Sequence, residues 1–99
     1  MKDPRMKNQR LDKLYAAVLS LRSVEECYDF FEDICTITEL QALAQRMEVA
    51  QLLDENVTYH EIVGKTGAST ATISRVNRCL QYGAGGYRLV LDRMGKGGE

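Results

Sequence analysis

The sequence has little of the chemistry that builds metal sites or disulfide frameworks. Its three cysteines, Cys27, Cys35 and Cys79, are odd in number and contain no CxxC pair, which argues against structural disulfides. His60 is the single histidine, so the sequence has no group of nitrogen and sulfur ligands at the spacing of a zinc site. We therefore predict buried free thiols and no bound metal.

Long hydrophobic runs are missing as well. The longest, Tyr15 to Leu19, is far too short to cross a bilayer, and no signal peptide opens the chain. We therefore expect a cytoplasmic protein without membrane contact. The 99 residues, 44% hydrophobic and 27% charged, have the composition of one globular domain. A chain this short buries a modest core, to which a second copy would add.

The apolar residues that are present recur at helical spacing, and no alternating pattern is long enough for a strand. We predict an all-α fold of six helices, in which residues 11–94 form a single helical domain. Residues 1–10 are predicted to be a flexible arm and residues 95–99 a flexible tail. The first helix would run from Leu11 to near Arg22.

The second and third helices have separate start signals. Ser23 and Glu26 have the spacing of a capping box, which begins the second helix. The third starts at Thr36 or Thr38 and is apolar on more than one face, at Leu43 and Val49 among others. A helix that is apolar over much of its girth needs several neighbours, so we predict contacts from a partner chain.

Residues 58–82 have the layout of a helix-turn-helix. Thr58 and Glu61 form a capping box for the first short helix, and Gly67 ends it because glycine tolerates positive φ. Ser69 can cap a second helix, which the glycines from Gly83 onward would break. A last short helix follows them. Apolar residues at compatible spacings should pack the two helices together: Ile62, Val63, Ala68, Ile73 and Val76.

The remaining positions of this segment are polar, small or basic. Such side chains let a helix enter the major groove of DNA and contact phosphates or base edges. The predicted DNA-binding residues are Tyr59, His60, Lys65, Ser69, Thr70, Ala71, Thr72, Ser74, Arg75, Asn77 and Arg78.

The net charge of −1 conceals an uneven distribution. Residues 57–99 carry six basic and three acidic residues, a balance of +3, whereas residues 1–56 carry seven basic and eleven acidic residues, a balance of −4. The predicted second helix of the pair has no acidic residue. Because a phosphate backbone responds to the local field, this distribution is compatible with binding of double-stranded DNA.

Two stretches carry a family resemblance. The third helix, TITELQALAQRMEVAQLL, and the segment GASTATISR together resemble the Trp repressor family over residues 36–82. More narrowly, the chain is similar to the Trp-repressor-like proteins of Gram-positive bacteria. The resemblance implies an interlocked all-helical homodimer that regulates transcription, most often as a repressor. The two helix-turn-helix motifs of the dimer would bind half-sites roughly 34 Å apart on the duplex.

The family also implies a ligand site, and its positions transfer only in part. Arg46 and Arg75 match the two arginines that flank an amino-acid corepressor, and Thr36 matches a polar residue near it. At two further positions the sequence departs from the family: Val76 stands where the family has a glycine, and Cys79 where it has a serine. The valine side chain should crowd the space that the family leaves for the indole ring of tryptophan. Overpacking of this kind costs about 1–3 kcal/mol, which argues against tryptophan as the ligand. We expect no cofactor, or an unidentified effector smaller than tryptophan.

Two other functions compete with DNA binding. The helix pair could be a plain hairpin within a helical module that binds a protein partner through the third helix and the acidic residues between Glu25 and Glu55. Catalysis has little support, since His60 has no nucleophile at a recognisable spacing and no oxyanion donors can be named. We therefore predict that the protein is not an enzyme.

Overall fold

The structure, a computed structural model, describes residues 8–97, and every regular element in that range is a helix. The six helices are α1 (Gln9–Leu19), α2 (Val24–Ile34), α3 (Ile37–Asp54), α4 (Tyr59–Thr66), α5 (Thr70–Tyr82) and α6 (Gly86–Gly97). The all-α, six-helix prediction is confirmed. The chain forms two compact units that divide between Ile37 and Thr38, with α1 and α2 in the first and the remaining helices in the second.

The helices extend further toward both chain ends than the apolar pattern indicates. Asn8 caps α1 by accepting a 2.8 Å hydrogen bond from the Leu11 N–H, so residues 9 and 10, predicted as part of the arm, are helical. Residues 95–97, predicted as tail, continue α6, because a glycine weakens a helix without forbidding it. The predictions for residues 1–7, 98 and 99 lie outside the described residues.

The first unit buries no residue of α1 or α2. α1 ends at Leu19, earlier than predicted, and Leu19 is 84% exposed. Ser23 caps α2 as predicted, accepting a 3.1 Å bond from the Glu26 N–H, while the Glu26 carboxylate accepts from the Arg22 N–H. Tyr28, on the predicted apolar stripe of α2, is also largely exposed. The apolar residues of these two helices are therefore exposed or half-buried in the single chain.

α3 ends in a left-handed cap. Asn56 has a φ of 64°, and its N–H donates a 3.0 Å bond to the Leu53 carbonyl. The Val57 N–H donates a 3.1 Å bond to the Leu52 carbonyl. This pair of bonds is the Schellman arrangement, and Leu52 and Val57 both pack against the core, which supplies its usual apolar contact.

The turn between α4 and α5 consists of Gly67, Ala68 and Ser69. Gly67 has a φ of 73°, a conformation that side chains with a Cβ rarely adopt, and it ends α4 as the sequence predicts. The Thr66 hydroxyl donates to the Ile62 carbonyl at 2.8 Å and accepts the Ala68 N–H at 3.0 Å. The turn is therefore fixed by side-chain as well as backbone bonds.

The core lies in the second unit and is built on the α4–α5 pair. Its buried residues are Val49, Ala50, Ile62, Ala68, Ile73, Val76 and Leu91. Four of the five residues predicted to pack the two helices together are among them. Val63 is the exception, at 37% exposed. It follows Ile62 on α4, and successive helical residues point about 100° apart, so both cannot face α5 equally.

The glycine-rich segment that begins at Gly83 ends α5, as predicted. Gly83 is required by its close approach to α5, because a Cβ there would lie against the Cys79 carbonyl oxygen. On α6, Arg88 forms a 2.8 Å ion pair with Asp54 at the end of α3 and a 3.4 Å contact with Asp92. The hydrogen bond to Asp54 and its negative charge raise the pKa of Arg88.

The thiols depart from the prediction. All three cysteines are free, but Cys27 and Cys79 are exposed and Cys35 is half-buried, so the prediction of buried thiols is wrong. α5, which carries Cys79, buries other positions instead, such as Val76, and α2, which carries Cys27, buries none. None of the helices within residues 8–97 combines the length and apolar character needed to span a bilayer.

Candidate nucleic-acid interface and adjoining cleft

One face of α5 is open to solvent along its length. Thr70, Ser74 and Arg78 are each exposed and stand four residues apart, so they form one row on the helix surface. The opposite face of α5 carries Ile73 and Val76 into the core. The helix thus holds its buried face against the protein while it presents small and basic side chains outward.

Most other residues predicted to contact DNA share this exposure. Thr72 and Asn77 are half-buried. Tyr59, at the start of α4, is 37% exposed. The other exposed residues of the set are His60, Lys65, Ser69, Ala71 and Arg75.

The amino end of α5 can attract anions. Ser69 is its N-cap, and the Ser69 hydroxyl accepts the Thr72 N–H at 3.1 Å and donates to the Thr72 hydroxyl at the same distance. The first amides of a helix have no intrahelical acceptor, and the helix dipole adds partial positive charge there. The backbone near Thr70 and Ala71 can therefore bind a phosphate, while the Ser69 hydroxyl is already engaged in the cap.

The charge of α5 is positive. The helix contains Arg75 and Arg78 and no acidic residue. Within residues 8–97, neither arginine forms an ion pair, so both guanidinium groups are available to phosphate. Asn77 accepts a 3.2 Å hydrogen bond from Gln81, which occupies its carbonyl oxygen and leaves its amide donors for a base edge or a phosphate.

Beside α5 the second unit contains a cleft of about 350 Å³, hereafter the α3–α5 cleft. Its lining residues are Leu43, Arg46, Arg75, Val76, Cys79 and Tyr87. The cleft brings together four of the five residues predicted to bind a ligand. The fifth, Thr36, is not among them; it is exposed and precedes α3 in the first unit.

Sequence reasoning missed two residues of the α3–α5 cleft. The sequence analysis places Leu43 on an apolar face of the third helix and predicts neither Leu43 nor Tyr87 as a site residue. Leu43 is 45% exposed, more than a core position would be, and Tyr87 packs against the core while it lines the cleft. Helical spacing gives the face of each residue but not which remote helix it meets, so no local signal could have found this pairing.

Val76 has two roles in the structure. It is 2% exposed and belongs to the core, and the part of its surface that remains lines the α3–α5 cleft. The valine therefore completes the packing between α4 and α5 and also takes up volume at the cleft wall. A glycine at this position would leave both spaces empty.

Comparison with known proteins gives consistent matches over nearly the whole chain. The family model described as Trp repressor protein matches residues 9–95. The uncharacterized protein YerC of Bacillus subtilis (strain 168) is 55% identical over 94 residues, which cover 95% of this chain and 90% of YerC.

Solved structures agree with the sequence match. The crystal structure of a TrpR-like protein from Eubacterium eligens ATCC 27750 is 55% identical, with a TM-score of 0.90 over 94% of this chain and 96% of that one. A second structure, from Staphylococcus aureus, is 47% identical with a TM-score of 0.90 and covers 96% of this chain and 95% of its own. Since sequence and three-dimensional structure match over almost the full length, the chain belongs to the Trp repressor family.

Proposed function

We propose that this protein is a cytoplasmic, sequence-specific DNA-binding regulator of transcription that acts as a repressor, and that α4 and α5 form its helix-turn-helix. The observation that carries the proposal is the outward row of Thr70, Ser74 and Arg78 on a helix without acidic residues. Small side chains at the start of α5 allow close approach to the major groove, and the arginine further along reaches the backbone. Membership of the Trp repressor family supports the same function.

The proposed DNA contacts are of two kinds: contacts to phosphates, which position the protein, and contacts to base edges, which recognise the sequence. The amides at the start of α5 and the side chain of Arg78 would hold phosphates, which fixes the orientation of the helix without sequence preference. Thr70, Ser74 and Asn77 can form hydrogen bonds or apolar contacts with base edges, and these would supply the specificity. On α4, Tyr59, His60 and Lys65 would contact the adjacent backbone, as the first helix of such motifs does.

The functional unit we propose is a homodimer. The first unit exposes Leu19, Val24 and Tyr28, and the second exposes Leu89 and Met94 on α6. A chain of 99 residues buries a modest core, and these exposed apolar side chains supply area on each unit that a second copy could cover. Two copies related by a two-fold axis would place two α5 helices on an operator of the same symmetry.

The proposal is tested by selecting bound sequences from a random duplex pool, with and without a mixture of free amino acids. A homodimer of reading helices should enrich two related half-sites about one helical turn, roughly 34 Å, apart. Dependence of the enrichment on the amino acids would reveal an effector. Recovery of unenriched sequences at low salt would refute sequence-specific binding.

A second function, docking of a protein partner, is favoured by one observation. α2 carries five acidic residues together with the exposed apolar residues Val24, Tyr28 and Ile34. A basic, partly apolar partner would fit that helix. Capture of a partner that Glu32→Lys disrupts, in a protein that enriches no DNA sequence, would favour docking over DNA reading, whereas enrichment that survives Glu32→Lys would favour DNA reading.

A further inference from the structure

The last residue of α5 is a tyrosine that the core does not use. Tyr82 is 82% exposed, the highest value among the tyrosines of the chain. Its hydroxyl forms no hydrogen bond with another residue between 8 and 97. After Tyr82 the chain leaves the helix, because Gly83 is extended and its N–H donates a 2.9 Å bond to the Cys79 carbonyl. The ring and its polar tip are therefore open to a partner outside the chain.

Tyr82 continues the outward row of Thr70, Ser74 and Arg78. It stands four residues after Arg78, one helical turn away, so both side chains lie on the same side of α5. Long side chains on a helix lean toward the amino end of that helix. We therefore expect the Tyr82 ring to extend toward Arg78 and toward the end of α5 that carries Thr70.

The length of α5 determines which part of a duplex each of its positions can reach. A helix rises about 1.5 Å per residue, so Tyr82 lies roughly 18 Å behind Thr70 and roughly 6 Å behind Arg78. The major groove is about 8.5 Å deep. With Thr70 near the floor of the groove, Arg78 and Tyr82 stand at or above the edge of the groove, where the phosphates lie. Tyr82 is therefore too far back for base edges, whereas a ring that leans toward Arg78 can reach a phosphate oxygen.

We propose that Tyr82 is a further DNA-binding residue, whose hydroxyl donates a hydrogen bond to a phosphate oxygen at the edge of the major groove. This contact rests on the proposed DNA-binding function and adds a phosphate contact at the carboxyl end of α5. Tyrosine is among the side chains that donate to DNA phosphates, and such contacts position a protein without reading sequence. The helix amides near Thr70 and the Tyr82 hydroxyl would hold α5 at both ends and so fix its tilt in the groove.

An uncharged donor differs from arginine in the salt dependence of binding. A guanidinium group that neutralises a phosphate releases a counterion, whereas a tyrosine hydroxyl releases none. Tyr82→Phe removes the hydroxyl and keeps the ring. It should weaken binding about threefold to tenfold, as the loss of one hydrogen bond allows, with an unchanged salt slope and an unchanged order of preferred sequences.

The experiment combines the variant with a modified duplex. The full-length protein is titrated by fluorescence anisotropy with the duplex that the selection enriches, and with versions in which one phosphate at the groove edge is a methylphosphonate. Tyr82→Phe should weaken binding to the unmodified duplex and lose most of its effect on the one duplex whose contacted phosphate is altered, because the two changes remove the same interaction. Tyr15→Phe, the same change on an exposed residue of α1, is the matched control and should leave the affinity unchanged.

The outcomes separate this contact from the function on which it rests. Equal affinities of Tyr82→Phe and the unaltered protein would overturn the contact alone, as would a loss of the same size on every methylphosphonate duplex. A flatter salt slope for Tyr82→Phe would also overturn it, since an uncharged donor cannot change the number of counterions released. A protein that enriches no sequence would refute the proposed function, and the Tyr82 contact with it.

Discussion

Gln45 Nε2 donates a 3.2 Å hydrogen bond to the carbonyl oxygen of Thr66, which joins the middle of α3 to the last residue of α4. The Thr66 hydroxyl extends the connection, since it binds the Ile62 carbonyl and the Ala68 N–H. Because Ala68 is buried in the turn, its N–H has no access to water. The position of α5 therefore depends on the side chains of two residues outside it.

Replacing Thr66 with valine should destabilise the protein by about 1–3 kcal/mol, because it leaves the buried Ala68 N–H without an acceptor. Chemical denaturation followed by circular dichroism measures the loss. Thr38→Val, at an exposed position of α3, is the matched control and should change stability by less than about 0.5 kcal/mol. Equal effects of the two substitutions would contradict the role assigned to the Thr66 hydroxyl.

The two glycines of the α4 segment should respond in opposite directions to alanine. Gly67 has a φ of 73°, so Gly67→Ala should cost about 1–2 kcal/mol. Gly64 lies inside α4 with no atom within 4 Å of an added Cβ, so Gly64→Ala should stabilise by about 0.5–1 kcal/mol. Thermal unfolding of the two variants side by side tests this. A Gly67→Ala variant as stable as the unaltered protein would contradict the left-handed conformation at Gly67.

Asn56 should tolerate glycine better than alanine. Its φ of 64° is one that asparagine and glycine accept more readily than other residues. We expect Asn56→Ala to lose about 1 kcal/mol and Asn56→Gly to lose less or to gain, since glycine has no Cβ to strain. Urea midpoints of both variants provide the measurement, and an alanine variant as stable as the glycine variant would refute the left-handed cap.

Loss of the Arg78 charge should weaken DNA binding without changing its sequence preference. Each Arg78 that contacts a phosphate should contribute about one unit to the slope of log K against log salt, so Arg78→Gln should flatten the slope by that amount per copy. Fluorescence anisotropy across a salt series measures it, with Arg22→Gln as a control of the same charge change on an exposed residue of the first unit. An unchanged slope would remove Arg78 from the interface.

The proposed homodimer makes a prediction about concentration. If association covers the exposed apolar residues of α1 and α2, the melting temperature should rise with protein concentration, because the dissociated chain is the less stable species. Analytical ultracentrifugation should give twice the mass of one chain. A single-chain mass, with a melting temperature independent of concentration, would refute the dimer.

Structural features that depend only on residues adjacent in the chain could be predicted from the sequence. Ser23, Thr58 and Ser69 cap the helices they were predicted to cap, and Gly67 ends α4 with the expected positive φ. Caps and turns are set by the backbone demands of a few consecutive residues, so a single sequence contains the signal. The helix count and the resemblance to the Trp repressor family followed from similar patterns and are confirmed.

Structural features that depend on contacts between residues far apart in the chain could not be predicted from the sequence. The spacing of Val63 predicts packing against α5, and Cys79 is predicted to be a buried free thiol, yet both are exposed. Residue type alone does not say which side of a helix another helix covers. Tyr87 and Arg46 line the same α3–α5 cleft although they lie far apart in the chain, so local sequence patterns do not show that they share it.

The buried face of α5 and the face that we propose to contact DNA lie on opposite sides of the helix. Ile73 and Val76 anchor the helix in the interior, while Thr70, Ser74 and Arg78 bear none of that packing. Exchanging the outer three would leave the free energy of unfolding almost untouched, because exposed substitutions seldom matter to stability. Under the proposed function, relatives could therefore change their target genes with little loss of stability, and the same three positions are where redesign toward a new operator would begin.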